Sequence, residues 1–198
     1  MSLLIESLRL EEGIFYNVSY HQRRVQEAFR ELFGTKKVLD LQQLIEGSSY
    51  PRRGLFKCRI VYDDQSAKVS FVPYASRPAQ TLKLVTDNDI EYAHKFTDRS
   101  ALDSLYAGRG TCDDVLIVRK GEVTDSSIAN IVFRKSGRWF TPSHPLLAGT
   151  MRQRLLESGK IEPITIRMEQ IPTFESFRLV NAMMGFNGPE QDVGNIIL

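Results

Sequence analysis

Residues 113–153 read DDVLIVRKGEVTDSSIANIVFRKSGRWFTPSHPLLAGTMRQ, and this stretch decides the fold. The apolar, β-branched runs Val115–Val118 and Ile128–Phe133 predict two strands, because such side chains pack well on a pleated surface. A hairpin and a polar turn that carries Asp125 separate the two strands. A helix over Thr150–Gly159 follows, and its final glycine can end it in a left-handed conformation.

The rest of the chain adds hairpins and a second clear helix. Leu3–Leu10 predicts a strand, and the apolar spacing over Ser19–Phe33 predicts a helix that Ser19 caps and Gly34 ends. Alternating residues in Leu55–Tyr62 and Ala67–Tyr74 predict a β-hairpin. Hairpins mixed with short helices favour an α+β fold over a doubly wound parallel sheet.

A polar segment, Thr86–Glu91, predicts a linker near the middle of the chain. We therefore expect a small α+β N-terminal domain over residues 1–86 and a larger C-terminal domain over residues 87–198. A chain of 198 residues is long enough for two small domains, each with its own core.

Composition excludes several classes of protein. A formal charge of +2 gives no concentrated basic face for nucleic acid, and no apolar run approaches the roughly 18 residues of a membrane span. The N-terminus lacks the basic start of a signal peptide, and two cysteines are too few for a disulfide framework. Three scattered histidines indicate no metal site. We expect a cytoplasmic enzyme with reduced thiols.

Two residues have the chemistry of a pyridoxal phosphate site. Lys95, in HKFTDR, can act as an amine nucleophile if burial lowers its pKa, or it can be an ordinary solvated lysine. Asp125 can hold the proton on a cofactor ring nitrogen, or it can be a turn aspartate bonded to nearby amides.

Two further features suit an anion. Gly149 and Thr150 open a helix whose amides can bind phosphate, although Thr150 can equally be an ordinary N-cap. Arg24 lies at the border of an apolar helix face, where it can reach an anion or extend its charged end into solvent.

The order and spacing of these pieces form a specific combination. His21–Arg24 has the form His-x-x-Arg, and Lys95–Arg99 reads KFTDR. Gly121–Asn130 follows, and Thr141-Pro142 and Gly149–Arg152 come after it. In this order they resemble the class IV aminotransferase family, the pyridoxal phosphate enzymes of fold type IV. That family includes branched-chain and D-amino-acid aminotransferases and 4-amino-4-deoxychorismate lyase.

The resemblance implies a two-domain α+β fold of the D-amino-acid aminotransferase type, with a shortened N-terminal domain. It also implies a homodimer that acts on a small-molecule amine. Lys95 becomes the Schiff-base residue, and Ser7 assists proton transfer or positions the substrate. Asn181, Ala182 and Met183 face the substrate. The residues implied for binding pyridoxal 5'-phosphate are Arg24, Asp125, Ser127, Ile128, Asn130, Gly149, Thr150 and Met151.

Within the family, Gly149–Gln153 and Asn181–Met184 are similar to the lyase. That reaction releases pyruvate and 4-aminobenzoate through an external aldimine and serves folate biosynthesis. The alternative is an amino-acid transaminase of the branched-chain or D-amino-acid type, and a third hypothesis is an inactive binding homologue. The acid of the family is usually glutamate, so Asp125 is one methylene shorter.

Overall fold

A computed structural model describes residues 3–35, 38–76 and 79–197. Its contacts group the chain into two units. The first unit contains the residues up to Ser76 together with His94–Asp98, and the second contains the intervening segment and everything from Arg99 onward. Within the described ranges, no helix has the length and apolarity needed to cross a membrane.

The first unit is a four-stranded antiparallel sheet in the order β2-β1-β3-β4 with helices packed on one face. Strand β1 alternates between buried and half-buried residues, so its even-numbered side chains enter the core. Its elements are β1 (Leu4–Glu11), β2 (Ile14–Phe15), α1 (Val18–Ala28), α2 (Leu41–Glu46), β3 (Leu55–Tyr62) and β4 (Ala67–Pro73).

The helical segment that starts with α1 ends where the sequence predicted but begins elsewhere. A π-helical turn over Phe29–Phe33 follows α1 directly, and Gly34 ends the segment with a φ of 61°. The predicted cap at Ser19 is wrong, because the helix already begins at Val18. Asn17 precedes the helix in a left-handed conformation, which asparagine tolerates, and makes no side-chain capping bond.

The second unit is a mixed sheet built around an antiparallel meander of β6, β7, β8 and β9. The parallel pairs are β5 with β6, β5 with β13 and β9 with β10. Its strands are β5 (Leu82–Thr86), β6 (Asp114–Arg119), β7 (Glu122–Ser126), β8 (Asn130–Lys135), β9 (Arg138–Pro142), β10 (Glu162–Ile164), β11 (Ser176–Val180), β12 (Gln191–Asp192) and β13 (Ile196–Ile197), and its helices are α3 (Ser100–Ala107) and α4 (Thr150–Glu157).

One prediction in the decisive stretch is wrong. Asp125 lies in strand β7 and not in a polar turn, and its Cα pairs with that of Asn130 in β8. The polar side chains of β7 hide the strand in the sequence, but the structure buries them and bonds them internally: Thr124 Oγ1 donates to the carbonyl oxygen of Ile117 over 2.9 Å. The second predicted strand accordingly begins at Asn130, and Ile128 is half exposed in the turn.

The segment predicted as a linker is an ordered turn. Asp87 Oδ1 accepts hydrogen bonds from the amides of Asp89 and Ile90, and Ile90 is buried. Strand β5, just before it, pairs with β6 of the second unit. The predicted domain boundary after residue 86 stays a prediction, whereas the mixture of hairpins and short helices confirms the α+β class.

Candidate active site

Lys95 lies beside strand β1. An antiparallel bridge joins Leu4 to Phe96, and the amide of Ile5 donates to the carbonyl oxygen of Lys95 over 2.9 Å. Opposed residues of antiparallel strands point to the same face, and this register therefore puts Lys95 on the face of Ile5. Ser7 is the next residue of β1 on that face. The register thus places Lys95 and Ser7, the two residues predicted to be catalytic, on the same face.

The other face of β1 carries a residue that the sequence analysis missed. Glu6 is fully buried, and its two carboxylate oxygens accept from Arg24 Nε and Nη2 over 2.9 and 2.6 Å. His21 Nδ1 lies 2.5 Å from Glu6 Oε2. We call Glu6, His21 and Arg24 the Glu6 cluster. A charged residue in phase with the buried leucines at positions 4, 8 and 10 was the signal in the sequence.

The charges of the Glu6 cluster follow from its contacts. Burial by itself raises the pKa of Glu6, but the guanidinium of Arg24 and the contact with His21 outweigh it and lower the pKa to about 2. Burial lowers the pKa of His21, and the charges of Arg24 and Lys95 lower it further against the opposing pull of Glu6. At neutral pH the ionised carboxylate therefore accepts a hydrogen bond from the Nδ1–H group of a neutral histidine. Lys95 lies near enough for its charge to act on this cluster.

Arg24 is not a surface side chain, because only 14% of it is exposed. Its two bonds to Glu6 form a paired, charge-assisted contact that fixes the plane of the guanidinium. The alternative of an arginine extended into solvent is therefore wrong.

In the second unit, Asp125 is held by two neighbours. Asp125 Oδ1 accepts from Asn130 Nδ2 over 2.7 Å, and Oδ2 accepts from the amide of Leu147 over 2.9 Å. Burial raises the pKa of this carboxyl group to about 6, although the bonds from Leu147 and Asn130 and the charge of Arg152 partly oppose the shift. Asp125 is therefore a buried acid with a pKa close to neutrality.

Gly149 closes this arrangement at the start of helix α4. A Cβ atom at position 149 would overlap Asn130 Oδ1, so only glycine fits there. Asn130 Nδ2 also donates to the carbonyl oxygen of Leu147 over 2.9 Å. Asn130 thus packs against the helix start and bonds to the acid.

Of the two alternatives for this helix start, the structure contradicts the one in which Thr150 is the N-cap. Gly149 is the N-cap residue and Thr150 is the first helical residue, so Thr150 is not the cap. The side chain of Met151 is buried among Val132, Leu155 and other core residues. Met151 can therefore contribute to a ligand only through its backbone amide.

Arg152 adds a buried positive charge in the first turn of α4. Its Nη2 donates to the carbonyl oxygen of Pro142 over 2.8 Å. Its Nε is buried without a hydrogen-bond partner within the described residues. Such an unsatisfied donor is unusual in a folded protein.

The remaining predicted residues lie in two turns that contact each other. The carbonyl oxygen of Ser127 accepts from Arg99 Nη2 over 3.0 Å, and that of Ile128 accepts from Asn181 Nδ2 over 3.2 Å. Strand β11 ends at Val180, so Asn181, Ala182 and Met183 lie beyond it.

Asn181 instead begins a turn. Its Oδ1 accepts from the amides of Met183 and Met184, each over 2.9 Å. Met183 is buried and Ala182 is half buried. In the parts of the chain that the structure describes, no group of three histidine, cysteine, aspartate or glutamate side chains could hold a metal ion.

Several known proteins are similar to this chain in sequence or in fold. A Haemophilus influenzae protein named "Uncharacterized protein" is 39% identical over 184 residues, which cover 92% of this chain and 98% of that protein. A crystal structure from Haemophilus somnus, named "a putative 4-amino-4-deoxychorismate lyase", is 37% identical, covers 94% of this chain and 98% of its own, and superposes with a TM-score of 0.89.

A structure from Mesorhizobium loti, named "a Putative amino-acid aminotransferase", is 20% identical, covers both chains fully and has a TM-score of 0.81. At that identity it shows the fold alone. It confirms the predicted aminotransferase-like fold type.

The family profile described as "Amino-transferase class IV" matches residues 3–187, which is most of the chain. The matched region contains Lys95, the Glu6 cluster, and the Asp125, Asn130 and Gly149 arrangement. The chain therefore belongs to the amino-transferase class IV family.

Proposed function

We propose that this protein is a pyridoxal phosphate-dependent enzyme of the aminodeoxychorismate lyase type. It would release pyruvate and 4-aminobenzoate from its substrate. The observation that carries the proposal is the buried acid Asp125, bonded to Asn130, which packs against Gly149 at a helix start. Family membership supports the cofactor, and the relative of 37% identity supports the reaction type.

Asp125 fits the ring nitrogen of the cofactor. The two carboxylate oxygens have four lone pairs, and the bonds from Asn130 and from the amides of Leu147 and Leu146 use three of them. The carboxylate can therefore accept one more N–H. An acid with a pKa of about 6 is suited to share a proton with a pyridine nitrogen near neutral pH. The shorter aspartate is fixed in place by its two neighbours.

The start of helix α4 fits a phosphate group. Its first amides point along the helix axis toward the N-terminus, where the helix dipole favours an anion. Gly149 has no side chain that would cover these amides. The buried charge of Arg152 in the same turn adds to the positive potential.

We assign Arg24 to the phosphate as well. Its bonds to Glu6 fix the plane of a guanidinium that is only 14% exposed. A planar guanidinium suits phosphate, because its fork of N–H donors matches the geometry of the anion.

Bound pyridoxal phosphate supplies an electron sink for the carbanion at the α carbon of the substrate. Lys95 would hold the cofactor through its amine, and the same amine would act as the base at the α carbon of the substrate. Asp125 keeps the proton at the ring nitrogen. Ser7, on the face of Lys95, passes a proton or orients the substrate. Asn181, Ala182 and Met183 contact the substrate, and Ser127 and Ile128 border the cofactor.

The second candidate is an amino-acid transaminase. It shares the first proton transfer at Lys95 and differs in where the proton returns. The Haemophilus somnus structure, which is 37% identical, favours the lyase. A homologue without turnover is the third candidate.

The experiment supplies aminodeoxychorismate to the purified protein with pyridoxal phosphate and measures pyruvate and 4-aminobenzoate. A parallel assay supplies an amino acid with 2-oxoglutarate and measures glutamate. We expect pyruvate release that is lost in Lys95→Ala and kept in Lys160→Ala, an exposed lysine at the end of α4. Glutamate formation without pyruvate would favour the transaminase, and binding of the cofactor without either product would favour the inactive homologue.

A homodimer stays a prediction of the family resemblance. Light scattering on the cofactor-loaded protein measures its mass, which we expect to be twice the 22.6 kDa of the chain. A monomeric mass would contradict this prediction.

A further inference from the structure

The segment that connects β11 to β12 contains the residues assigned to the substrate. It runs from residue 181 to residue 190, and we call it the 181–190 loop. The two strands pair antiparallel, with Ser176 opposite Asp192 and Phe177 opposite Gln191. The two ends of the loop therefore lie next to each other in the sheet. Contacts of the loop itself determine its conformation between these ends.

Arg178 of β11 holds the returning half of the loop. Its Nη1 donates to the carbonyl oxygen of Phe186 over 3.0 Å, and its Nη2 donates to Glu190 Oε2 over 2.8 Å. Its guanidinium also lies 5.2 Å from the ring centroid of Phe186 and 4.7 Å from that of Trp139 in β9. Only the planar guanidinium can make all these contacts at once.

Glu190, at the end of the loop, is bonded to two more residues besides Arg178. Its Oε1 accepts from Ser176 Oγ over 2.5 Å and from Arg134 Nη1 over 3.0 Å. The hydrogen bond from Ser176 and those from the two arginines lower the pKa of Glu190 to about 2 despite its partial desolvation. The carboxylate is therefore ionised at any pH at which the enzyme would work.

The outgoing half of the loop is fixed separately. Asn181 Nδ2 donates to the carbonyl oxygen of Ile128, and Asn181 Oδ1 accepts two backbone amides of its own turn. Gly185 has a φ of 69°, and its amide donates to the carbonyl oxygen of Asn181 over 3.0 Å. The carbonyl oxygen of Phe186, the next residue, accepts from Arg178 and so links this turn to the side chain of Arg178. A shift of Phe186 would thus move the turn.

We propose that Arg178 is a positioning residue that sets the shape of the 181–190 loop and so places Asn181 and Met183 against the substrate. This inference rests on the proposed function only in assigning these two residues to the substrate. Arg178 does not touch the substrate itself. It acts through Phe186 and Glu190.

The fluorescence of Trp139 reports on the conformation of the loop. Trp139 is the single tryptophan of the chain, and its ring meets Phe186 edge to face with centroids 5.6 Å apart. Its fluorescence therefore reports whether Phe186 and Arg178 stay in place. Because Arg178 also contacts this ring, the signal is read together with KM, which a role in stability alone would leave unchanged in the folded variant.

The test compares Arg178→Lys with the wild type, both loaded with pyridoxal phosphate. Lysine keeps the charge but loses the stacking and one of the two directed bonds, which we expect to raise KM for aminodeoxychorismate about tenfold with kcat within about twofold. Acrylamide quenching of Trp139 should increase, and the absorbance of the bound cofactor should not change.

Two further variants serve as a control and as a second test. Arg134→Lys is the matched control, since Arg134 pairs with Glu190 and Glu175 on the strand side of the loop, and we expect unchanged KM. Phe186→Leu keeps the backbone carbonyl and removes the ring, so it should also raise KM. This variant keeps the test informative if Arg178→Lys folds poorly. An unchanged KM in both Arg178→Lys and Phe186→Leu would overturn the proposal.

Failure of the proposed function can be told apart from failure of this inference. If the wild type does not release pyruvate, the lyase assignment fails. Equilibrium binding of 4-aminobenzoate to the cofactor-loaded protein then decides the inference. About tenfold weaker binding in Arg178→Lys would support positioning by Arg178, and equal binding would overturn it.

Discussion

Replacing Asp125 with asparagine removes the group whose pKa burial raises from an ordinary 3.8 to about 6. Because the folded state favours the protonated carboxyl, the folded protein binds this proton more tightly than the unfolded chain. The stability from this group is fully present below pH 3.8 and is lost as the pH rises through about 6. A difference of about two pKa units corresponds to about 3 kcal/mol of unfolding free energy.

The comparison between variant and wild type isolates this contribution. Between about pH 4 and about pH 7, the free energy of unfolding of Asp125→Asn minus that of the wild type should rise by about 3 kcal/mol. The absolute offset also contains the mismatch of the new amide with Asn130 or Leu147, but that term does not depend on pH. His21 and other titrating groups are present in both proteins and cancel.

Urea unfolding of the cofactor-free proteins, followed by far-ultraviolet circular dichroism across this pH range, measures the difference. Asp89→Asn, an exposed turn residue, is the control and should run parallel to the wild type. Parallel curves for Asp125→Asn as well would mean that Asp125 titrates normally. The account of a buried acid poised for the ring nitrogen would then be refuted.

Two other changes test the neighbouring structure. Glu6→Gln breaks the buried pairing with Arg24 and His21 and should lower the unfolding free energy by about 3 kcal/mol at neutral pH. The pKa of Glu6 is lowered from 4.5 to about 2, so its contribution is present above pH 4.5 and lost as the pH falls toward 2, and the loss should shrink in that acid range in urea titrations. A loss that stays constant down to pH 3 would contradict this pairing. Gly149→Ala places a methyl group on Asn130 Oδ1 and should cost about 1–3 kcal/mol by thermal unfolding and weaken the binding of pyridoxal phosphate. A variant of Gly149 with wild-type cofactor affinity would argue against the phosphate assignment for this turn.

Much of the fold follows from local patterns in the sequence. Strand β3 (Leu55–Tyr62) lies where the alternation of residues predicted it, because each of its faces has a distinct environment. Gly34 ends the π-helical turn that continues α1, because glycine adopts positive φ without strain. The start of α1 did not follow from the sequence, since Asn17 caps it through its backbone conformation and not through its side chain.

Polar residues in buried strands account for the main errors. Strand β7 contains Thr124, Asp125 and Ser126, which read as a turn until their hydrogen-bond partners in the fold are known. Glu6 was missed for the same reason, since a charged residue in a strand normally faces solvent. Its partners His21 and Arg24 come from a helix that begins twelve residues later, so only the tertiary structure reveals the pairing.

The amine of Lys95 is the central claim of this account, because the proposed chemistry begins there. The protein loaded with pyridoxal phosphate is treated with borohydride, digested and analysed by mass spectrometry, which locates the reduced cofactor among the nine lysines of the chain. We predict a pyridoxyl group on the peptide that contains Lys95 at about one per chain. Modification at another lysine, or none at full cofactor occupancy, would contradict the claim.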